Sequence, residues 1–318
     1  MTHYDVFNGD ADGICALHQL RLEEPRESTL VTGVKRDIAL LARVGAQSGD
    51  TVTALDISAS TNRRALESLL ARGVRVQYFD HHFAGDLPHH PGLEALIDTA
   101  PGVCTGILVD RYLGGRRRLW ALVAAFGDNL DASALALAEP LGLEAGQLDA
   151  LRTLGENLAY NAYGDTESDL IAHPANLYRT VARHADPFGL IAEEPLLARI
   201  DAARREDLAR ASQLQPERRF ERATLYLLPD APWSRRVRGV FGNQLANRFP
   251  ELAHAILTRD AEGGFVVSVR APRSQPRGAD TLCRGFAGGG GRAAAAGINH
   301  LPKESLDEFV RCLEQAFS

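Results

Sequence analysis

Short apolar runs alternate with stretches of helical spacing through the first part of the chain. Runs near 3–8, 28–34, 50–56 and 74–79 read as strands, and 13–22, 37–44 and 60–72 carry helix-spaced apolar positions. This alternation predicts an α/β fold with a doubly wound, mainly parallel sheet. From about 104 to 210 the pattern turns helical and rich in Ala and Leu, with breaks at Gly114-Gly115, Pro140, Pro174 and Pro187. A helical second half of the first domain is therefore expected. The polar stretch 213–222, which contains Pro216 and several charges, reads as a linker. A smaller α/β unit follows: strand 223–228, helix 241–249, strand 253–259, a turn through Glu262-Gly263-Gly264, strand 265–270, and helices 279–286 and 303–316. The predicted organisation is a first domain over 1–212, a linker over 213–222 and a second domain over 223–318.

The predicted strands end in metal-capable side chains. Val74 to Phe79 runs straight into Asp80-His81-His82, and the carboxyl edge of a parallel sheet is where α/β proteins place ligands. The run Tyr4 to Phe7 leads to Asn8-Gly9-Asp10-Ala11-Asp12-Gly13, and Thr51 to Leu55 leads to Asp56. Asp128 follows the apolar stretch Leu119 to Phe126, read as a helix ending at Gly127. Each aspartate alone is explained by capping or turn formation. Capping gives no reason for successive strands to end in Asp, and it needs no histidine. His89-His90, beside Pro88 and Pro91, reads by contrast as solvated loop.

Carboxylates with one or two imidazoles and no nearby thiolate suit manganese or magnesium, the imidazoles favour manganese, and zinc stays open. The carboxylates are numerous enough to serve two ions with one shared between them. That arrangement supports in-line displacement at phosphorus.

In order and spacing, Asp10-Ala11-Asp12-Gly13, Asp56, Asp80-His81-His82 and Asp128 resemble the N-terminal motifs of the DHH phosphoesterase superfamily. Gly288-Gly289-Gly290-Gly291-Arg292 and the Ala293–Ala296 run after it are similar to the glycine-rich signature of the DHH-associated substrate domain, so the resemblance covers both domains. The superfamily includes RecJ-like exonucleases, oligoribonucleases and bisphosphate nucleotidases, cyclic dinucleotide phosphodiesterases, and relatives that split pyrophosphate or polyphosphate. The resemblance implies two manganese ions per chain, magnesium being an alternative. Asp10 and Asp56 would hold one ion, and Asp12, Asp56, His81 and Asp128 the other. His82 would lie at the phosphate, with Asp80 orienting a histidine behind it. Asn8 matches an asparagine that orients a ligand.

Two positions depart from the family pattern. Val6 stands where many members have a metal-ligating histidine, and Arg292 stands where a substrate-contacting histidine is usual. A guanidinium still grips phosphate bidentately but donates no proton to a leaving group.

At 318 residues the chain exceeds a usual single core, which agrees with two domains. Cys15, Cys104, Cys283 and Cys312 are scattered and form no C-x-x-C, so they read as reduced thiols. No secretory signal or membrane span is evident, so a cytoplasmic protein without a membrane partner is expected. The net charge of −6 argues against a dedicated duplex-DNA binder. Arg270, Arg273, Arg277, Arg284 and Arg292, opposed only by Asp280, form a local anion site. With Gly289, Gly290 and Gly291 leading into a predicted helix start, Arg270 and Arg292 are the candidate phosphate contacts.

The expected activity is manganese-dependent hydrolysis of phosphodiester or phosphomonoester bonds by a dimetal-activated hydroxide. The expected substrate is a small phosphorylated nucleotide or a short single-stranded oligonucleotide. A polyphosphatase or pyrophosphatase and a catalytically weak nucleotide sensor are the alternatives, and a homodimer is compatible with this reading.

Overall fold

Five parallel strands build the first sheet of the computed structural model, which describes residues 1–318: β1 (His3–Phe7), β2 (Thr29–Val31), β3 (Thr51–Leu55), β4 (Arg75–Asp80) and β5 (Leu93–Ile97). Their order is β2-β1-β3-β4-β5, so the chain leaves β1 on one side and returns to pair β3 on the other. The crevice outside the carboxyl ends of β1 and β3 is therefore the topological switch point, the usual ligand position of an open α/β sheet.

The near-continuous apolar runs arise because both sheet faces are covered. Cross-strand neighbours Phe7, Leu55 and Phe79 pack into one buried cluster with α1 (Ala11–Glu23) and helices further along the chain. Val6, Ala54 and Tyr78, one position earlier, enter a second cluster with Leu66, Leu69 and Leu70 of α2 (Ala59–Ala71). The helical layer continues as α3 (Thr105–Tyr112), α4 (Arg118–Gly127), α5 (Asp131–Ala138), α6 (Ala145–Asn161), α7 (Pro174–Val181), α8 (Pro187–Glu193) and α9 (Pro195–Ser212).

Several elements differ from the sequence reading. The helix expected over 37–44 is only a 3₁₀ turn, Leu40–Arg43, and the strand expected over 28–34 spans Thr29–Val31. β5 escapes prediction because it is an edge strand whose side chains are mostly exposed, so no buried run announces it.

The chain divides into two compact units, Met1–Ala202 and Ala203–Ser318. The division falls inside α9, ahead of the polar stretch 213–222, and within that stretch β6 (Arg218–Arg219) pairs with β7 (Ala223–Leu227). The second unit continues with α10 (Pro232–Arg248), β8 (Ala253–Arg259), β9 (Phe265–Arg270), α11 (Ala279–Arg284), β10 (Gly289–Arg292), β11 (Ala295–Leu301) and α12 (Leu306–Ala316). Its sheet has the order β10-β11-β9-β8-β7-β6, with β7 and β8 parallel and the other pairs antiparallel. α10 begins at Pro232, well before the predicted 241, because proline is well suited to the first helical turn and the Arg-rich start hides the apolar spacing.

The glycine run is the clearest correction. No helix follows Gly288–Gly291; β10 is an edge strand that turns back through Ala293-Ala294 into β11. The alanines favour helix locally, but pairing of Ala296 with Val269 and of Ile298 with Val267 buries them in the second core, and tertiary packing prevails. Gly291 is required at its place, since its φ is +139° and a Cβ there would lie 2.5 Å from Ala296 Cα. An anion cradle at a helix N-terminus is therefore not formed by these glycines.

Candidate metal centre

Each loop that leaves the carboxyl edge of β1, β3 and β4 delivers a buried carboxylate. After β1, Asp10 caps α1, its Oδ1 accepting from Asp12 N (3.0 Å) and Gly13 N (3.2 Å). Asn8 Oδ1 accepts from Asp10 N (3.2 Å), and Asn8 Nδ2 donates to the Lys35 carbonyl (3.2 Å), so this side chain ties two loops together. Asp12 turns to α3, whose first amides, Thr105 N and Gly106 N, donate to its two oxygens at 2.8 and 2.7 Å. The positive end of a helix thus fixes a buried anion. After β3, Asp56 has φ +58°, a left-handed conformation that aspartate tolerates better than most residues, and its Oδ1 accepts from Thr105 Oγ1 (3.2 Å). Asp80 ends β4, with Oδ1 2.7 Å from His82 Nδ1, while its buried Oδ2 meets no donor.

These groups converge on His81. Its Nε2 lies 3.4 Å from Asp56 Oδ1 and 3.9 Å from both Asp12 Oδ2 and Asp128 Oδ2. Donor atoms of Asp56, His81 and His82 all fall within 4.8 Å of one another. Asp10 shares a side-chain hydrogen bond with Asp56 and also meets a cation: its Oδ2 is 2.7 Å from Lys35 Nζ, which is also 3.5 Å from Asp128 Oδ1.

The electrostatics follow from packing like charges together. Burial, then the carboxylates of Asp12, Asp10 and Asp128, push the Asp56 carboxyl well above its usual range. Asp128 is raised by burial and by Asp12 and Asp10, against the pull of Lys35. Burial opposes ionisation of Asp10, yet Lys35 and the Gly13 amide outweigh it and the carboxyl is lowered. For Lys35, burial opposes the charge and Asp10, Tyr163 and Asp128 overcome it, so its pKa rises well above the usual value. Cys15 and Cys104 are held as neutral thiols by burial and by the neighbouring Asp12, and they add no thiolate. The donor set is oxygen and imidazole, and the crowded carboxylates call for a cation. Oxygen and imidazole donors of this kind suit manganese or magnesium.

The first unit therefore gathers Asp10, Asp12, Asp56, Asp80, His81, His82 and Asp128 at one edge, with Asn8 bracing them. Lys35, Thr105 and Gly106 belong to the same cluster and were not singled out from the sequence. Lys35 follows β2 just as the aspartates follow their strands, and position rather than residue type was the available signal. In the second unit, Arg292, Ala295 and Arg270 are successive cross-strand neighbours on β10, β11 and β9, so both arginines lie in one row. Arg270 is held by Asn243 Oδ1 (2.7 Å), Ser268 Oγ (2.9 Å) and the Gly239 carbonyl (3.3 Å), whereas Arg292 is exposed. Gly289, Gly290 and Gly291 supply edge-strand backbone beside Arg292.

No family model and no curated protein sequence matches the chain. Solved structures do. Exonuclease RecJ bound to manganese superposes with a TM-score of 0.64 at 18% identity, covering 99% of this chain and 89% of that one. RecJ from Thermus thermophilus in complex with Mn2+ gives a TM-score of 0.61 at 20% identity, covering 99% of this chain. This chain spans about half, 51%, of that longer protein. The complex of the Thermus thermophilus RecJ with Mg2+ gives 0.50 at 18% identity, with 99% and 49% covered. The chain thus has the fold of the RecJ exonucleases, which is the fold of the DHH superfamily that its aspartate and histidine motifs resemble.

Proposed function

We propose that this chain is a manganese-dependent phosphoesterase, with magnesium as a substitute, that hydrolyses ester bonds of short single-stranded oligonucleotides or small phosphorylated nucleotides. The observation that carries the reading is the convergence of Asp12, Asp56 and Asp128 on His81 Nε2, within 3.9 Å, at the switch point of the parallel sheet. When bound there, a divalent ion supplies Lewis-acid polarisation of a phosphoryl group and acidifies water. The protein's own contribution is positional. Asp80 engages His82 Nδ1, which leaves Nε2 as the ring atom that exchanges a proton at the reacting phosphate. Thr105 and the first amides of α3 keep Asp56 and Asp12 aimed inward. In the second unit, the row of Arg270 and Arg292 is suited to phosphate, with Arg292 the available fork.

A nucleotide is favoured over a bare polyphosphate by Phe83. This ring is 78% exposed one residue beyond His82, and Ser58 Oγ donates to its carbonyl (2.9 Å), which fixes the loop. An exposed aromatic beside a phosphate site offers a stacking face to a base. The deciding experiment is a turnover panel with manganese, magnesium or chelator on adenosine bisphosphate, dinucleotides, cyclic dinucleotides, short RNA, pyrophosphate and polyphosphate. Manganese-dependent cleavage of the nucleotide substrates is expected. Turnover of pyrophosphate or polyphosphate alone would overturn the ester reading, and nucleotide binding without turnover would make the protein a sensor.

A further inference from the structure

The motif resemblance implies two ions, yet the position of the usual histidine ligand is Val6, fully buried in an apolar cluster with Leu40, Leu41 and Ala54. No donor atom is offered there. Asp10, the carboxylate that would serve that second ion, instead meets the Lys35 ammonium at 2.7 Å, and the same ammonium lies 3.5 Å from Asp128. The lysine is not a stray surface chain. Its backbone N–H donates to the Ala162 carbonyl (2.9 Å), its carbonyl accepts from Asn8 Nδ2 (3.2 Å), and its ammonium is 5.9 Å from the Tyr163 ring centroid.

We propose that Lys35 is a built-in cation that takes the place of the second metal ion, so that the centre holds one divalent ion on Asp12, Asp56, Asp128 and His81. An ammonium has three donors and no vacant coordination position. With two of its N–H groups directed to Asp10 and Asp128, the third is available to a phosphate oxygen. Lys35 thereby neutralises charge beside the ion without holding water as a metal would. This inference rests on the proposed metal-dependent function and replaces with one ion the two that the motif resemblance implies.

The test is manganese binding to the full-length, metal-stripped protein, by calorimetric stoichiometry and by the electron paramagnetic resonance spectrum. One manganese per chain is expected, with the hyperfine pattern of magnetically isolated ions. Lys35→Met removes the charge and Lys35→His replaces it with a neutral ligand. In Lys35→His, and more weakly in Lys35→Met, the stoichiometry should rise to two and the spectrum should show spin coupling. Lys35→Arg, which keeps a cation, should stay at one. Two coupled ions in the unmodified protein would overturn the proposal while leaving the phosphoesterase reading intact, and this measurement depends on no variant folding. No manganese bound at all would overturn both. A folded Lys35→His that still takes one ion would show that Lys35 does not exclude the second.

Discussion

Asp56 shows how one residue carries both the strain and the charge of the centre. It adopts φ +58°, and it is buried among Asp10, Asp12, Asp80 and Asp128. Its carboxyl is raised well above the usual range, first by burial and then by those neighbours. An aspartate raised in this way destabilises the metal-free fold at neutral pH, because the unfolded chain ionises more easily than the folded one. Asp56→Asn keeps the left-handed backbone and removes the charge. We expect the metal-free variant to melt higher, by about 2 °C or more, while manganese affinity measured by calorimetry falls at least roughly tenfold, as for loss of a charge-assisted contact. A variant that keeps full affinity would remove Asp56 from the ligand set. Phe83 makes the complementary case for substrate: Phe83→Ala should raise KM for nucleotides by roughly tenfold, in line with ~1–3 kcal/mol for base stacking, with pyrophosphate KM unchanged. Equal effects on both would show that the ring does not meet a base. The aspartates were legible because carboxylates at successive strand ends have no other shared purpose. Lys35 was not, since a lysine beyond a strand is usually solvated and only its 2.7 Å contact with Asp10 reveals the difference.

Among the elements, α3 matters most, for its N-terminal amides hold Asp12 while Thr105 Oγ1 holds Asp56. Its close seat depends on Gly106, where a Cβ would lie 2.4 Å from the Ala124 Cβ of α4 and 3.1 Å from Asp12 Oδ1. Gly106→Ala must therefore push α3 away from both. We expect a loss of about 1–3 kcal/mol in folding stability, typical of overpacking, together with weaker manganese binding. Thr105→Val, which drops only the hydroxyl contact, should reduce metal affinity with a smaller change in melting temperature. If Gly106→Ala melts and binds like the parent, α3 does not position Asp12. The sequence conveyed the strands that feed the site because their side chains are buried on both faces. It misled at Gly288–Gly291, where alanine content suggested a helix but pairing with β9 decides the outcome, and it was silent on β5, whose exposed edge leaves no apolar signature. Local preference is readable from sequence, whereas the partner of an edge strand is not.

At the scale of the molecule, no helix is long and apolar enough to cross a membrane, and every candidate ligand lies in the unit Met1–Ala202. Fold stability there should depend on pH through groups remote from the metal, and His18 is the clearest. The ring is fully buried, 2.8 Å from the His184 carbonyl through Nε2, and packs edge-on to Trp120 at a centroid distance of 4.5 Å. Burial, aided by the nearby charges of Arg117 and His184, lowers its pKa from 6.5 to about 4 even though the His184 carbonyl favours the protonated form. Between these values the unfolded chain binds the proton and the folded chain does not, so stability is complete above about pH 6.5 and declines as the pH falls toward 4. The loss should approach roughly 3 kcal/mol for a shift of this size. Asp5 acts in a separate window: its carboxyl is lowered to about 2, where burial is outweighed by His3, Arg21 and Ser28, so its contribution is lost only as the pH falls from 3.8 toward that value. Asp56 and Asp128, both raised, tilt the metal-free curve in the opposite direction, so the difference between two proteins is more informative than either curve alone. His18→Gln keeps a neutral donor for the His184 carbonyl. Subtracting its denaturant stability from that of the parent, both metal-free, should leave a difference that is flat above pH 6.5 and falls steadily toward pH 4. A flat difference across that range would mean that His18 titrates alike in the folded and unfolded chains and contributes nothing to acid sensitivity.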